Sequence, residues 1–174
     1  LFQINFSQNS DDKTIILEYR ITYKLGKELT KDGYLFEFDG DKYFFTSRSR
    51  FKENIKKYSF NKAKNQHSIN ISLGENVGEY TYSDYNDLVL FTTVLKGRQT
   101  INTKEKIYNL NWKHTNDSLV YKDFKCKIYK TNFRGREYKA YVSDTIDYKF
   151  GPWKFNGFNG VPVLIKDSKK QLNW

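Results

Sequence analysis

The chain has no methionine, one cysteine, two prolines and two histidines among its 174 residues. A lone Cys126 excludes an internal disulfide, and with only His67 and His114 beside it there are too few ligands for a zinc site. No apolar run approaches the ~18 residues of a helical membrane span. Long helical periodicity, internal repeats, low-complexity tracts and a defensible domain boundary are absent too. The missing initiator, with Trp174 closing a segment still patterned as a strand, reads as a piece cut from a longer product at both ends. The opening, LFQINFSQNSDD, is expected to hold a signal-peptide remnant over residues 1–10, with cleavage near Ser7-Gln8, or else an ordinary first strand. Residues 11–174 then make one β-rich domain.

What the chain does have is aromatic surface and positive charge. Fourteen tyrosines and fourteen phenylalanines favour pleated, half-buried surfaces. Thirty Lys and Arg against twenty Asp and Glu give a net charge of +10, a field that attracts polyanions. Acids and bases interleave almost everywhere, however, as in KDGYLFEFDGDK, which describes a solvated lysine-rich surface; nucleic acid is not an expected partner.

Alternation places the strands. In IILEYRITYK, Leu17, Tyr19, Ile21 and Tyr23 share one face and Glu18, Arg20, Thr22 and Lys24 the other. A turn at Lys31-Asp32-Gly33 should lead to Tyr34, Phe36 and Phe38, and Asp39-Gly40-Asp41 should turn into KYFFTSR. Phe51 to Asn65 is lysine-rich and reads as an exposed loop with at most a helical turn. HSINISL is a strand, and DLVLFTTVL, the most apolar run, a strand covered on both faces. NDSLVYKD reads as a turn region. FKCKIYKTN and REYKAYVS form a hairpin across Phe133-Arg134-Gly135, with positive φ at the glycine. The expected fold is mainly β: a single antiparallel, strongly curved sheet or partly open barrel with few short helices.

Chemistry-bearing patterns are thin. No carboxylate near His67 or His114 in sequence orients either as a base, and Glu75 and Glu79 would pair only on a helix that their glycines disfavour. Cys126 shares a face with Phe124 and Ile128, the setting of a buried, inert thiol. Gly157-Phe158-Asn159-Gly160 lacks the Lys-Ser/Thr of a phosphate loop; its glycines let the backbone bend or approach another segment. Arg134-Gly135-Arg136 before Tyr138 looks superficially like an RNA-binding strand, but an arginine occupies the first aromatic position. Its arginines either contact neighbouring carboxylates or grip an anionic ligand group. No catalytic residue, metal ligand or cofactor is assigned.

From Trp112 onward the landmarks run in a specific order: Lys125-Cys126, Phe133-Arg134-Gly135-Arg136, Tyr138, Ala140, Gly151-Pro152, Lys154-Phe155, then Gly157 and Gly160. In this order the chain resembles the GLPGLI proteins, exported proteins of Bacteroidota without established catalytic residues. The match covers Trp112 to Asp167 well and the earlier strands loosely. Departures fall on the name-giving motif, where this chain has Gly157-Phe158-Asn159-Gly160-Val161-Pro162, and on Tyr141, where the family has tryptophan. The resemblance implies structural roles for Trp112, Cys126, Gly135, Ala140, Gly151, Pro152, Phe155, Gly157 and Gly160. It also implies export: a periplasmic, outer-membrane-associated or secreted protein. The function expected is non-catalytic binding of a hydrophobic or peptide-like ligand in the concave face of the sheet, with Arg134, Arg136, Tyr138 and Trp153 as candidate contacts. The alternative is an interaction module of an outer-membrane-associated complex, and a hydrolase comes third. Lipid, peptide or an envelope protein are the partners these readings imply.

Overall fold

The structure, a computed structural model, describes residues 3–9, 12–25, 27–38, 41–47, 57–61, 66–70, 77–96, 99–145, 148–169 and 172–173; side chains are described for 16–24, 28–37, 41–46, 79–94, 99–145 and 148–169. In chain order the strands are β1 (Gln3–Asn9), β2 (Asp12–Leu25), β3 (Lys27–Phe38), β4 (Asp41–Ser47), β5 (Lys57–Asn61), β6 (Gln66–Asn70), β7 (Val77–Asp84), β8 (Val89–Lys96), β9 (Gln99–Lys106), β10 (Lys113–Tyr121), β11 (Phe124–Phe133), β12 (Arg136–Ser143), β13 (Val161–Asp167) and β14 (Leu172–Asn173). Twelve form one antiparallel sheet along the path β10-β11-β12-β13-β14-β2-β3-β4-β7-β8-β9, with β1 added to β2; β5 and β6 make a separate two-stranded sheet. The fourteen-residue β2 is long enough to serve two neighbours on one side, β1 along Asp12–Glu18 and β14 at Thr22 and Tyr23.

Period-2 alternation sends one face of each strand to a common core. Leu17 lies opposite Leu35, Leu35 opposite Phe44, and Phe44 opposite Thr81. From the other half of the sheet Tyr138, Ala140 and Ile165 join Leu17, Tyr19, Ile21 and Phe44 in one cluster. On the reverse face of β3 and β4, Tyr34, Phe36 and Phe45 form a second, smaller one.

The main-β expectation holds, and several finer expectations do not. Among the described residues there is no helix, as the lack of helical periodicity allows, and none long and apolar enough to cross a membrane. Among the described residues there are two sheets rather than one. β9 and β10 end the main path without pairing to each other, so the sheet does not close. Lys31-Asp32-Gly33 is no turn but the interior of β3: a Cβ at Gly33 would stand 2.9 Å from the Ile21 Cδ1, so glycine there makes room for core packing. DLVLFTTVL is covered on one face only, with Leu90 2% and Phe91 37% exposed. NDSLVYKD belongs largely to β10, and its turn narrows to Lys122-Asp123. In the lysine-rich stretch, Lys57–Asn61 is strand, while residues 51–56 and 62–65 lie outside the described residues. The Arg134-Gly135 turn is as expected: φ of 49° and 73° at successive residues and Phe133 paired with Arg136 define a two-residue hairpin of the kind that matches strand twist.

Candidate functional site

Between β12 and β13, residues 148–160 are held together by backbone hydrogen bonds and ring contacts. The Gly151 N–H donates to the Phe155 carbonyl at 3.0 Å, and the Phe155 N–H to the Pro152 carbonyl at 3.1 Å. Phe155, 0% exposed, meets the rings of Tyr138, Trp153 and Trp112 edge-on. The Trp112 indole also stacks near Phe158, and its Nε1 donates to the Asn156 carbonyl at 3.0 Å. At Gly160, with φ of 124°, a Cβ would stand 2.2 Å from the Ser143 carbonyl, so the close approach read from the sequence is real and admits only glycine. Of the sequence landmarks, Trp112, Tyr138, Gly151, Pro152 and Phe155 therefore meet in one knot, with Gly160 holding the loop against Ser143.

That knot is capped from the sheet by a lysine. Alternation puts Lys42 on the inner face with Phe44, fully buried. Its Nζ donates to the carbonyls of Gly151 (3.2 Å) and Trp153 (2.8 Å) and to Asn156 Oδ1 (2.5 Å), which also accepts from the Tyr85 hydroxyl at 2.8 Å. Burial pushes the Lys42 ammonium down to about 7. Three acceptors around it favour the charged form.

The two arginines of the hairpin face carboxylates of the same chain. Arg134 Nη2 lies 2.8 Å from Glu105 Oε2, the other oxygen of that carboxylate, Oε1, accepts from the Lys154 ammonium, and Arg136 Nη1 lies 2.7 Å from the buried Asp167. Of the other candidate contacts, Tyr138 is 3% exposed and belongs to the core, while the half-buried Trp153 packs between Phe133 and Phe155. Burial pushes the nearby Glu79 carboxyl up, against the lowering effects of Lys31, Lys154 and a Trp153 hydrogen bond. Cys126 is buried, and burial pushes its thiol up, the opposite of nucleophile activation. His114 is exposed beside the Tyr129 ring; the side chains of His67 and Glu75 lie outside the described residues. Among the described residues no three His, Cys, Asp or Glu side chains gather as a metal site.

A cleft of about 500 Å³ opens where residues 107–112 cross the end of β10 and β11. Asn109, Asn111 and Asn132 line it with Tyr108, Leu110 and Phe133; Lys113, Lys130 and Glu137 stand at its polar side. The three asparagines are exposed, and their side chains form no hydrogen bond within the described residues. Tyr108 is 45% exposed, its ring 5.6 Å from Phe133 and beneath the Arg134 guanidinium. Sequence reasoning named none of the three asparagines and missed the cleft, because its amides come from two segments that only the fold brings together.

No family model matches the chain, and no curated protein matches it in sequence. Among solved structures its fold is similar to that of PNGF-II, with a TM-score of 0.57 and 12% identity over 92% of this chain and 26% of that one. The chain thus spans about a quarter of that structure's length, and at this identity the likeness is one of fold alone.

Proposed function

We propose that the protein is a non-catalytic binding module whose ligand is an extended, peptide-like chain held in the cleft beside residues 107–112. The observation that carries this is the lining: exposed amides of Asn109, Asn111 and Asn132, without partners among the described residues, stand beside Tyr108, Leu110 and Phe133. Each amide offers a donor and an acceptor, as each peptide group of an extended ligand does. The rings and Leu110 offer apolar surface to its side chains. An apolar ligand within the concave face has less support, since Tyr19, Phe44 and Phe155 fill that space at 0–1% exposure.

Strong curvature of the sheet belongs to the same reading. β9 and β10 sit at opposite ends of an eleven-strand path, a separation of ~48 Å if flat. Residues 107–112 connect them and reach at most ~25 Å. The Glu105–Arg134 pair, from β9 to the β11–β12 turn, supports the bend. Export to the cell envelope and kinship with the GLPGLI proteins are part of the proposal; the convergence of Trp112, Gly151, Phe155 and Gly157 on one knot is consistent with landmarks kept for structure.

A second reading, docking of an envelope protein, draws on the row of rings Phe36, Tyr43, Tyr82 and Phe91, stacked at 5.0–5.9 Å and running towards the open, exposed edge strand β9.

Selection of a displayed random-peptide library against the protein tests the first reading. Peptides enriched on the wild type should lose about tenfold in affinity on the double variant Asn109→Ala/Asn132→Ala, roughly the loss of two hydrogen bonds. Enrichment indifferent to these exposed substitutions, or no enrichment, would sink it.

A further inference from the structure

The register of β10 to β13 sets four lysines in one line. Lys113 pairs with Lys130, Lys130 with Lys139, and Lys139 with Lys166. Directly paired residues share a face, so all four project from the same side, opposite that of Tyr138 and Ala140. Like charges directly opposite in a sheet repel. A chain selected for stability alone would break such a row with a carboxylate or a polar residue, as it does along Arg20↔Asp32. None of the four forms an ion pair with a described residue. Only the two on β12 and β13 have any compensation: Lys139 and Lys166 hold their Nζ atoms 5.5 and 5.0 Å from the Tyr141 ring centroid. Glu137, two residues from Lys139, sets a single carboxylate against the four ammonium groups.

The row does not end blindly. Lys113 and Lys130, its exposed members, also line the cleft with the amides of Asn109, Asn111 and Asn132. We propose that the lysine row selects an acidic peptide: an extended segment that lies in the cleft and continues across β10–β13, its Asp or Glu side chains meeting Lys113, Lys130, Lys139 and Lys166. This rests on the cleft being the binding site and adds the ligand's charge. Neighbouring lysines stand one strand spacing apart, ~4.8 Å, and carboxylates on alternate residues of an extended chain ~6.8 Å apart, a difference that four-carbon lysine stems absorb. A single-stranded nucleic acid would need free ring faces for its bases. Here the Tyr141 ring has two ammonium groups beside it, and the Tyr108 and Phe133 rings lie under the Arg134 guanidinium.

Two measurements test this. The first is the net charge of the peptides enriched from the displayed library; the second compares the wild type with a variant carrying Lys113→Gln, Lys130→Gln, Lys139→Gln and Lys166→Gln. Acidic enrichment is expected, with affinity falling about 30-fold in the variant at low salt, from four contacts each worth a factor of two to three. The gap should close as salt screens the wild type. The variant's melting temperature should equal or exceed that of the wild type, because the row repels itself when unoccupied. Neutral or basic enrichment overturns the acidic inference and leaves the cleft standing; no enrichment overturns both. A variant that melts below the wild type makes the row structural and refutes the proposal. So does tight binding of an oligonucleotide or a sulfated polysaccharide where acidic peptides fail.

Discussion

Replacing Lys42 with methionine should change how stability depends on pH. The folded-state ammonium sits at about 7 against an ordinary 10.5, with burial as the cause. The unfolded chain holds this proton up to about pH 10.5 and the folded one only up to about 7. Between those values the unfolded state carries more protons, so stability rises with pH across the window. Below pH 7 the full penalty of burying the charge is present, at most about 5 kcal/mol at 1.36 kcal/mol per pH unit. The three acceptors on Nζ reduce that ceiling. Urea unfolding from pH 7 to pH 9.5 should therefore stabilise the wild type relative to Lys42→Met by up to about 3 kcal/mol. Comparing the two proteins cancels the other titrating groups. At pH 7 the variant should lie within about 2 kcal/mol of the wild type, since a lost buried charge offsets lost hydrogen bonds to Gly151 and Trp153. Parallel pH profiles would refute the reasoning, because they would mean that the buried amine keeps an ordinary affinity for its proton.

Other perturbations should read out different parts of the fold. Gly160→Ala, which drives a Cβ against the Ser143 carbonyl at an unfavourable φ, should cost at least about 2 kcal/mol in chemical denaturation. Phe155→Ala should cost about 3–5 kcal/mol, as removal of a fully buried ring in a filled core does, and a loss under 1 kcal/mol would mean the knot is peripheral. Trp112→Phe keeps a ring against Phe158 but deletes the bond to the Asn156 carbonyl, for about 1 kcal/mol by thermal unfolding. Asp167→Asn should destabilise by about 2 kcal/mol, with little salt dependence because the carboxylate is buried; a strong salt dependence would place the pair in solvent.

Local rules carried the sequence reading where the fold obeys local rules. Alternation found β2, the second half of β3, β11 and β12, the Asp39-Gly40-Asp41 turn signal led to β4, and glycine found the two-residue turn at Arg134-Gly135, because φ and side-chain direction are settled within a few residues. The same cues misplaced a turn at Lys31-Asp32-Gly33. There the glycine answers to Ile21 and Phe44 across the core rather than to its neighbours. Lys42 escaped notice because Tyr43 and Phe45 are the conspicuous alternating pair, while the inner face of β4 combines a lysine with Phe44 and Thr46. The cleft and the lysine row were illegible for a stronger reason. Asn111 and Asn132, or Lys139 and Lys166, become neighbours only through strand register, and long-range register is not written in any one segment. The hairpin arginines were visible, but the carboxylates they meet, Glu105 and Asp167, lie about thirty residues away.

The most direct test of the cleft as the binding site is to follow backbone and side-chain amide NMR signals while titrating an enriched peptide into the protein. The account predicts saturable shifts at the Asn109, Asn111 and Asn132 side-chain amides and at Lys113 and Lys130, with the Phe91 face unmoved. Shifts confined to Phe91 and β9, or none in the cleft at saturation, would contradict it.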